Sequence, residues 1–237
     1  MTLSGSNTDV PRFSIVIPVY QEQETIKPWL ERLSSLKAPG GLEIIVVDGG
    51  PGQETILEIK TPSVSKLSAA KGRARQMNAG AQAARGEILL FLHADTILPD
   101  RAFLLVDQAM KNRTIVGGAF DLRIESRRPL VRFIGRAATL RSRLTRAPYG
   151  DQVIFLRRDF FRLLEGYADI PLMEDLELMR RIKRRRGRIA FISEPVKTSG
   201  RRWEREGPWR CTGRNIFIRL LYHLGVSPDK LVGFYPS

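Results

Sequence analysis

The chain has 237 residues, 43% of them hydrophobic, enough to fill the core of one α/β domain and too apolar for a disordered chain. Its 39 Lys and Arg against 25 Asp and Glu give a net charge of +14, which calls for an anionic partner: nucleic acid, an anionic membrane surface or a phosphorylated substrate. The single Cys211 excludes an internal disulfide framework and a cysteine-built zinc site. With no secretory start before Pro11 and no apolar run near the roughly 20 residues of a membrane span, the expectation is a cytoplasmic protein, soluble or peripheral to the cytoplasmic membrane.

Residues 1–11 are polar and read as a flexible start. Phe13 to Tyr20 reads as a first strand, and Gln23 to Leu36 carries a helical apolar pattern through Ile26, Leu30 and Leu33. Leu42 to Asp48 reads as a second strand ending in an acid, followed by the turn Gly49-Gly50-Pro51-Gly52 and a short helix to about Lys60. A weaker strand near Val64 to Leu67 precedes an Ala-rich helix from Gly72 to Arg85, with Gly86 as its C-cap. The apolar run Ile88 to Leu92 then ends in His93-Ala94-Asp95. Strands alternating with helices at this spacing predict βαβ units and a mostly parallel sheet in a single domain, residues 12–205, with 12–98 as a nucleotide-binding half and 99–205 as an acceptor half.

In the second half a helix runs to about Lys111, a strand covers Gly117 to Ile124, and a basic amphipathic helix covers Pro129 to Thr145. A strand is expected around Gln152 to Leu156 and a helix after Arg158. Met173-Glu174-Asp175 opens a helix Leu176 to Arg186, and Ile189 to Ile192 reads as another strand. Residues 206–237 form a C-terminal amphipathic segment in which Ile216, Phe217, Leu220, Leu221 and Leu224 share one helical face, while Asn215, Arg219 and His223 share another. That apolar face suits packing onto the domain or docking on a membrane beside a lipid acceptor.

Two acids, Asp48 and Asp95, end different predicted parallel strands, where an open α/β sheet binds its ligand. Asp48 is placed to accept hydrogen bonds from a base or ribose, and Asp95 to coordinate a divalent cation against a diphosphate. Lys71, Gly72 and Arg73 open the Ala-rich helix, where cations and free backbone N–H groups favour phosphate. His93 is a direct ligand or a packed histidine. Glu174 and Asp175 read by themselves as caps of their helix, where acids suit the N-terminal dipole.

The stretch Ser14 to Glu22 resembles the opening of family 2 glycosyltransferases with the GT-A fold. So do Glu43 to Gly50, Lys71-Gly72-Arg73 through Asn78-Ala79-Gly80, His93-Ala94-Asp95, Gly150-Asp151-Gln152 and Met173-Glu174-Asp175. Within that family the chain looks most similar to the radical-SAM/selenodomain-associated transferase subgroup, some of whose members are linked by name to carotenoid-acid glycosylation. The resemblance implies a nucleotide-diphosphate sugar as donor, UDP- or GDP-linked, with Mg²⁺ or Mn²⁺, and a lipid-linked or small hydroxyl or carboxyl acceptor. It implies that Pro18, Tyr20, Glu22, Asp48, Asn78 and Asp151 serve the donor site and that Lys71 and Arg73 approach the diphosphate. Asp95, with His93 beside it, would bind the metal, in a motif whose first acid is replaced by His. Asp175 would be the catalytic base with Glu174 as its neighbour, which makes the reaction inverting. Arg201-Arg202-Trp203 resembles the end of the family's Gln-x-x-Arg-Trp signature; Arg202 would screen the leaving diphosphate and Trp203 would stack at the site. No Gln precedes that tripeptide at the family's spacing, which points to a non-processive enzyme.

Two other functions compete. A sugar-phosphate nucleotidyltransferase shares the α/β core but wants a Gly-rich basic loop straight after its first strand, which Pro18 to Glu22 does not supply. A basic nucleic-acid-binding protein would fit the charge but lacks interleaved aromatic and basic residues, so no nucleic acid is expected.

Overall fold

The computed structural model describes residues 10–234. The expected flexible start falls almost wholly outside them. β1 (Phe13–Val19) has seven buried residues in succession, a pattern that only a strand covered on both faces can satisfy. Its parallel neighbours are β2 (Leu42–Asp48) and β4 (Ile88–Phe91), and β3 (Val64–Ser68) lies parallel outside β2. α1 (Ile26–Ser34), α2 (Glu54–Glu58) and α3 (Arg73–Ala83) connect these strands.

After β4 come β5 (Thr96–Ile97), α4 (Ala102–Met110), β6 (Ile115–Glu125) and α5 (Pro129–Thr145). A 3₁₀ turn (Gly150–Gln152) leads into β7 (Phe155–Arg157), followed by α6 (Arg158–Leu163), α7 (Glu174–Arg184) and β8 (Arg188–Ser199). Three helices close the described chain: α8 (Arg201–Glu206), α9 (Pro208–His223) and α10 (Pro228–Val232). The eight strands form one sheet in the order β3-β2-β1-β4-β7-β6-β8-β5. β7 is antiparallel to both β4 and β6, β5 is antiparallel to β8, and the remaining pairs are parallel.

Alternate residues of the central strands feed two cores. Phe13, Ile15 and Ile17 pack with α1, α4 and Val131 of α5 on one face, while Val16, Ile45 and Phe91 pack with α3, α6 and α7 on the other. Gly80 lets α3 lie close to the sheet, because a Cβ there would meet Val16 Cγ1 at 2.3 Å.

Several expected elements differ. The strand foreseen at Gln152 is a 3₁₀ turn, because the Gln152 side chain bonds Ser142 Oγ and Phe120 O (3.0 Å), and Val153 turns left-handed at φ 52°. The strand foreseen at 189–192 is three times as long, running on through Pro195 at a bulge against β6, where a missing N–H is tolerated. The Ala-rich helix stops at Ala83 rather than Arg85, and Gly86 instead donates its N–H to Ser14 Oγ (2.8 Å).

Topology concentrates the chemistry at one edge. β7 runs antiparallel to β4, so the turn that precedes β7 abuts the carboxyl end of β4, with Phe91 N–H donating to Ile154 O at 3.0 Å. β8 runs parallel to β6 and delivers α8 to that same edge.

Candidate active site

A cavity of about 960 Å³ opens at this edge, walled by Glu22 after β1, by His93 and Asp95 after β4, by Gly150 and Asp151, by Glu174 and Asp175, and by Arg202 and Trp203. Arg73 at the start of α3 also faces it. The structure thus gathers most of the expected site residues from six separate segments.

Asp175 sits in the first turn of α7, but its side chain does not cap that helix. Oδ2 instead accepts the Gly150 N–H at 2.8 Å, and Oδ1 is buried without a hydrogen-bond partner. That arrangement speaks against a mere cap and leaves one carboxylate oxygen without a partner. Burial above all, then the charge of Glu174, pushes the Asp175 carboxyl up to about 7, with Arg73 and the Gly150 N–H opposing. Glu174 is buried and pairs with Arg73 (Oε1 to Nε, 3.3 Å).

Gly150 is where the chain permits this closeness. A Cβ there would lie 2.8 Å from His93 Nε2 and 2.9 Å from Asp175 Oδ2, so no larger residue fits without displacing one of them. Its neighbour Asp151 has a buried, unpartnered Oδ1, and burial first of all pushes that carboxyl up to about 6.

His93 is held neutral, pushed down to about 4 by burial, then by Arg73, with Asp95 opposing. Asp95 is exposed at the cavity, its Oδ1 accepting the Thr96 hydroxyl at 3.2 Å. Among the described residues no three His, Cys, Asp or Glu side chains gather as a metal cage. One carboxylate and one neutral imidazole fit Mg²⁺ or Mn²⁺ only if diphosphate oxygens and water complete the shell, a mode these hard ions accept.

Other expected donor residues are placed differently. The Asp48 carboxylate is fully buried and occupied by backbone: Gly50 N–H on Oδ1 (2.7 Å), Thr55 N–H (3.0 Å) and Ile56 N–H (3.2 Å) on Oδ2. It shapes the glycine turn and the start of α2, and does not line the cavity. Asn78 joins α3 to the α6–α7 connection through reciprocal 2.8 Å bonds with the Tyr167 backbone. Pro18 is buried within β1. Lys71 Nζ lies 4.2 Å from the Tyr20 ring centroid, outside the cavity wall. Trp203 lines the cavity while its Nε1 donates to Thr212 Oγ1 at 3.2 Å.

Three residues that sequence reasoning passed over also face the cavity: Arg141, Tyr149 and Arg219. They come from α5, the turn before β7, and α9. Nothing in their spacing announces that they meet.

α9 sits on the domain through Cys211 and Ile218, the latter joining Leu172 and Leu231 in a small third core. Its polar Asn215 and Arg219 turn inward to the cavity, while Ile216, Phe217, Leu220 and Leu224 turn outward. Of the expected apolar stripe Leu221 packs against that third core, so the packing face is only partly the one the amphipathic pattern indicated.

The α/β sheet gathers acids, arginines and a neutral imidazole on one carboxyl edge, and its fold is the GT-A fold of the glycosyltransferases it superposes on. The model of the family "Glycosyl transferase family 2" matches residues 14–165, and the chain belongs to that family. The chain is 29% identical over 119 residues to the poly-β-1,6-N-acetyl-D-glucosamine synthase of Staphylococcus epidermidis, covering 47% of this chain and 29% of that protein. It is 29% identical over 123 residues to the undecaprenyl-phosphate 4-deoxy-4-formamido-L-arabinose transferase of Aeromonas hydrophila, covering 47% and 38%. It thus spans less than half the length of these relatives. Among solved structures, S. aureus TarS 1–349 in complex with UDP-GlcNAc superposes with a TM-score of 0.61 at 16% identity, covering 79% of this chain and 58% of that one. The mannosyltransferase PcManGT from Pyrobaculum calidifontis, in complex with GDP-Man and Mn²⁺, gives 0.55 at 21% identity, covering 81% and 57%.

Proposed function

We propose that the chain is an inverting, non-processive, metal-dependent glycosyltransferase that moves a sugar from a UDP- or GDP-linked donor to a lipid-linked or small hydroxyl or carboxyl acceptor. The observation that carries this reading is Asp175, a residue of the cavity wall: a carboxylate fixed by the Gly150 N–H, with its other oxygen buried and unpartnered and its pKa pushed up to about 7. A general base works best with a pKa near the working pH.

In this reading the acceptor oxygen attacks the anomeric carbon from the face opposite the nucleoside diphosphate. The bond from that carbon to the phosphate oxygen breaks, its electron pair leaves with the diphosphate, and the acceptor proton passes to Asp175. Arg73 and Arg202 stand on the cavity wall to meet the diphosphate, and Glu174 holds Arg73 in place. Asp95 and His93 would hold Mg²⁺ or Mn²⁺, which offsets charge on the leaving diphosphate. The neighbours bound to UDP-GlcNAc and to GDP-Man with Mn²⁺ support this donor class, and the undecaprenyl-phosphate relative supports a lipid-linked acceptor.

A lipid acceptor also accounts for the outward faces of α5 and α9. Leu144 is 75% exposed, Trp209 77% and Leu224 72%, and neither helix contains an acid. No helix among the described residues is long and apolar enough to cross a membrane, so contact would be peripheral, through these faces on an anionic surface.

Calorimetric titration with a panel of UDP- and GDP-sugars tests the donor assignment. At least one should bind with Mn²⁺ and lose most of its affinity in chelator, and Asp95→Ala should abolish the difference. Equal affinity in Mn²⁺ and in chelator would refute the metal's role.

A further inference from the structure

Arg141 and Arg219 converge on one aromatic ring. The Arg141 guanidinium carbon lies 3.6 Å from the Tyr149 ring centroid, and that of Arg219 lies 5.7 Å from it. Arg219 Nη1 donates to the Tyr149 hydroxyl at 3.1 Å and its Nε to Asn215 O at 3.1 Å. Arg141 Nη2 donates to Ser142 Oγ at 2.8 Å, while its Nε is buried without a partner. Among the described residues neither guanidinium is ion-paired with a carboxylate, whereas Arg73 on the same cavity wall pairs with Glu174.

This arrangement is costly for the protein alone. Burial above all pushes Arg141 below its usual value, with Tyr149 and then Asp151 opposing and Arg219 acting in the same direction as burial. Two like charges lie together, partly buried, with no carboxylate in direct ion-pair contact, Asp151 acting on Arg141 only at longer range. A planar guanidinium fork suits the two oxygens of a carboxylate or phosphate better than any neutral ligand.

The place of the pair says which ligand it would serve. Arg141 and Arg219 come from α5 and α9, in the half of the chain that does not build the nucleotide strands. Tyr149 immediately precedes Gly150, whose N–H holds Asp175. The cavity wall beside them is aliphatic, with Ile134 and Ala138 of α5, Leu122 and Ile124 of β6, and Ile218 of α9.

We propose that Arg141 and Arg219, stacked about Tyr149, form an anion subsite that holds a phosphate or carboxylate on the acceptor while the acceptor's apolar body lies along Ile134, Ala138 and Ile218. The acceptor is then an anionic amphiphile whose reacting group is brought to Asp175 by its charge. This deepens the transferase reading and rests on it for the word acceptor, but the subsite is tested without turnover.

The test is equilibrium binding to the full chain of octyl phosphate, octanoate and neutral octyl glucoside, each below its micelle-forming concentration, with UDP and GDP plus Mn²⁺ titrated in parallel. At least one anionic probe should bind ten or more times tighter than octyl glucoside, and the stronger of the two identifies phosphate or carboxylate as the group recognised. Arg141→Gln and Arg219→Gln should each weaken that probe by about tenfold or more, from the loss of one charge-assisted contact, and leave nucleotide affinity unchanged; Arg219→Lys should restore part of the loss. If Arg141→Gln fails to fold, Arg219→Gln decides alone. Equal binding of charged and neutral probes, or no binding of either anion, would overturn the subsite. Loss of nucleotide affinity with probe binding intact would instead assign both arginines to the donor. Loss of nucleotide binding in the wild-type chain would count against the transferase reading and leave the anion result standing by itself.

Discussion

Asp175 and Gly150 carry the chemistry proposed at the scale of single residues. Because the Asp175 carboxyl is raised to about 7, transfer by the free enzyme should rise with pH through that value and fall about tenfold per unit below it. The same shift has a sign for stability. A raised folded pKa means that the neutral acid suits the fold, so its stabilising share is complete below 3.8 and is lost as pH rises through about 7. Asp175→Asn removes the buried charge and keeps an acceptor for the Gly150 N–H. It should melt above wild type at pH 8, with the gap closing as pH falls from about 7 to about 4. A gap independent of pH would contradict the raised pKa. Gly150→Ala places a methyl within 3 Å of both His93 and Asp175 and should slow transfer by about 100-fold, the usual order for a small misplacement of a reacting group. Asp48→Ala is different in kind. It leaves three buried backbone N–H groups without their acceptor, and denaturant midpoints should fall by an amount equivalent to about 2–4 kcal/mol.

At the scale of elements, the sequence was most legible where both faces of a strand are buried. β1 and β2 fall within a residue of expectation because their apolar runs can be nothing else. β8 was read short because its burial alternates and a proline interrupts it, and the turn at Gln152 was misread because a side chain, not a backbone ladder, satisfies that segment. α9 shows a different limit. Its amphipathic pattern is real, but the polar side faces a cavity that needs Asn215 and Arg219, so polarity did not mark solvent. The outward residues Ile216, Phe217, Leu220 and Leu224 are therefore not part of the core. Replacing Ile216 and Leu220 by Ser should lower partition onto anionic vesicles by about tenfold or more, on the usual yield of buried apolar surface, without lowering the melting temperature. Unchanged partition would remove α9 from the membrane face.

The whole molecule explains why the site was legible at strand ends and opaque elsewhere. Asp95 could be picked out because a sheet brings its carboxyl edge together by rule, although the same rule also picked Asp48, which is occupied by backbone, and Asp175 was marked only by the family resemblance. Arg141, Tyr149 and Arg219 meet only because α9 folds back across α5, and no spacing records that. The net charge of +14, which the sequence left open between partners, has places in the fold: arginines around the cavity, and two helices without acids beside it. Association with anionic vesicles should accordingly weaken as salt rises, while cavity affinities respond less, since partly buried charges are screened less. The account stands or falls on the base. Once a donor and acceptor pair is in hand, single-turnover transfer by Asp175→Asn is the most direct measurement. It should drop by about 100- to 10,000-fold with donor affinity at the wild-type level, whereas transfer at a near-normal rate would show that Asp175 is not the group that takes the proton.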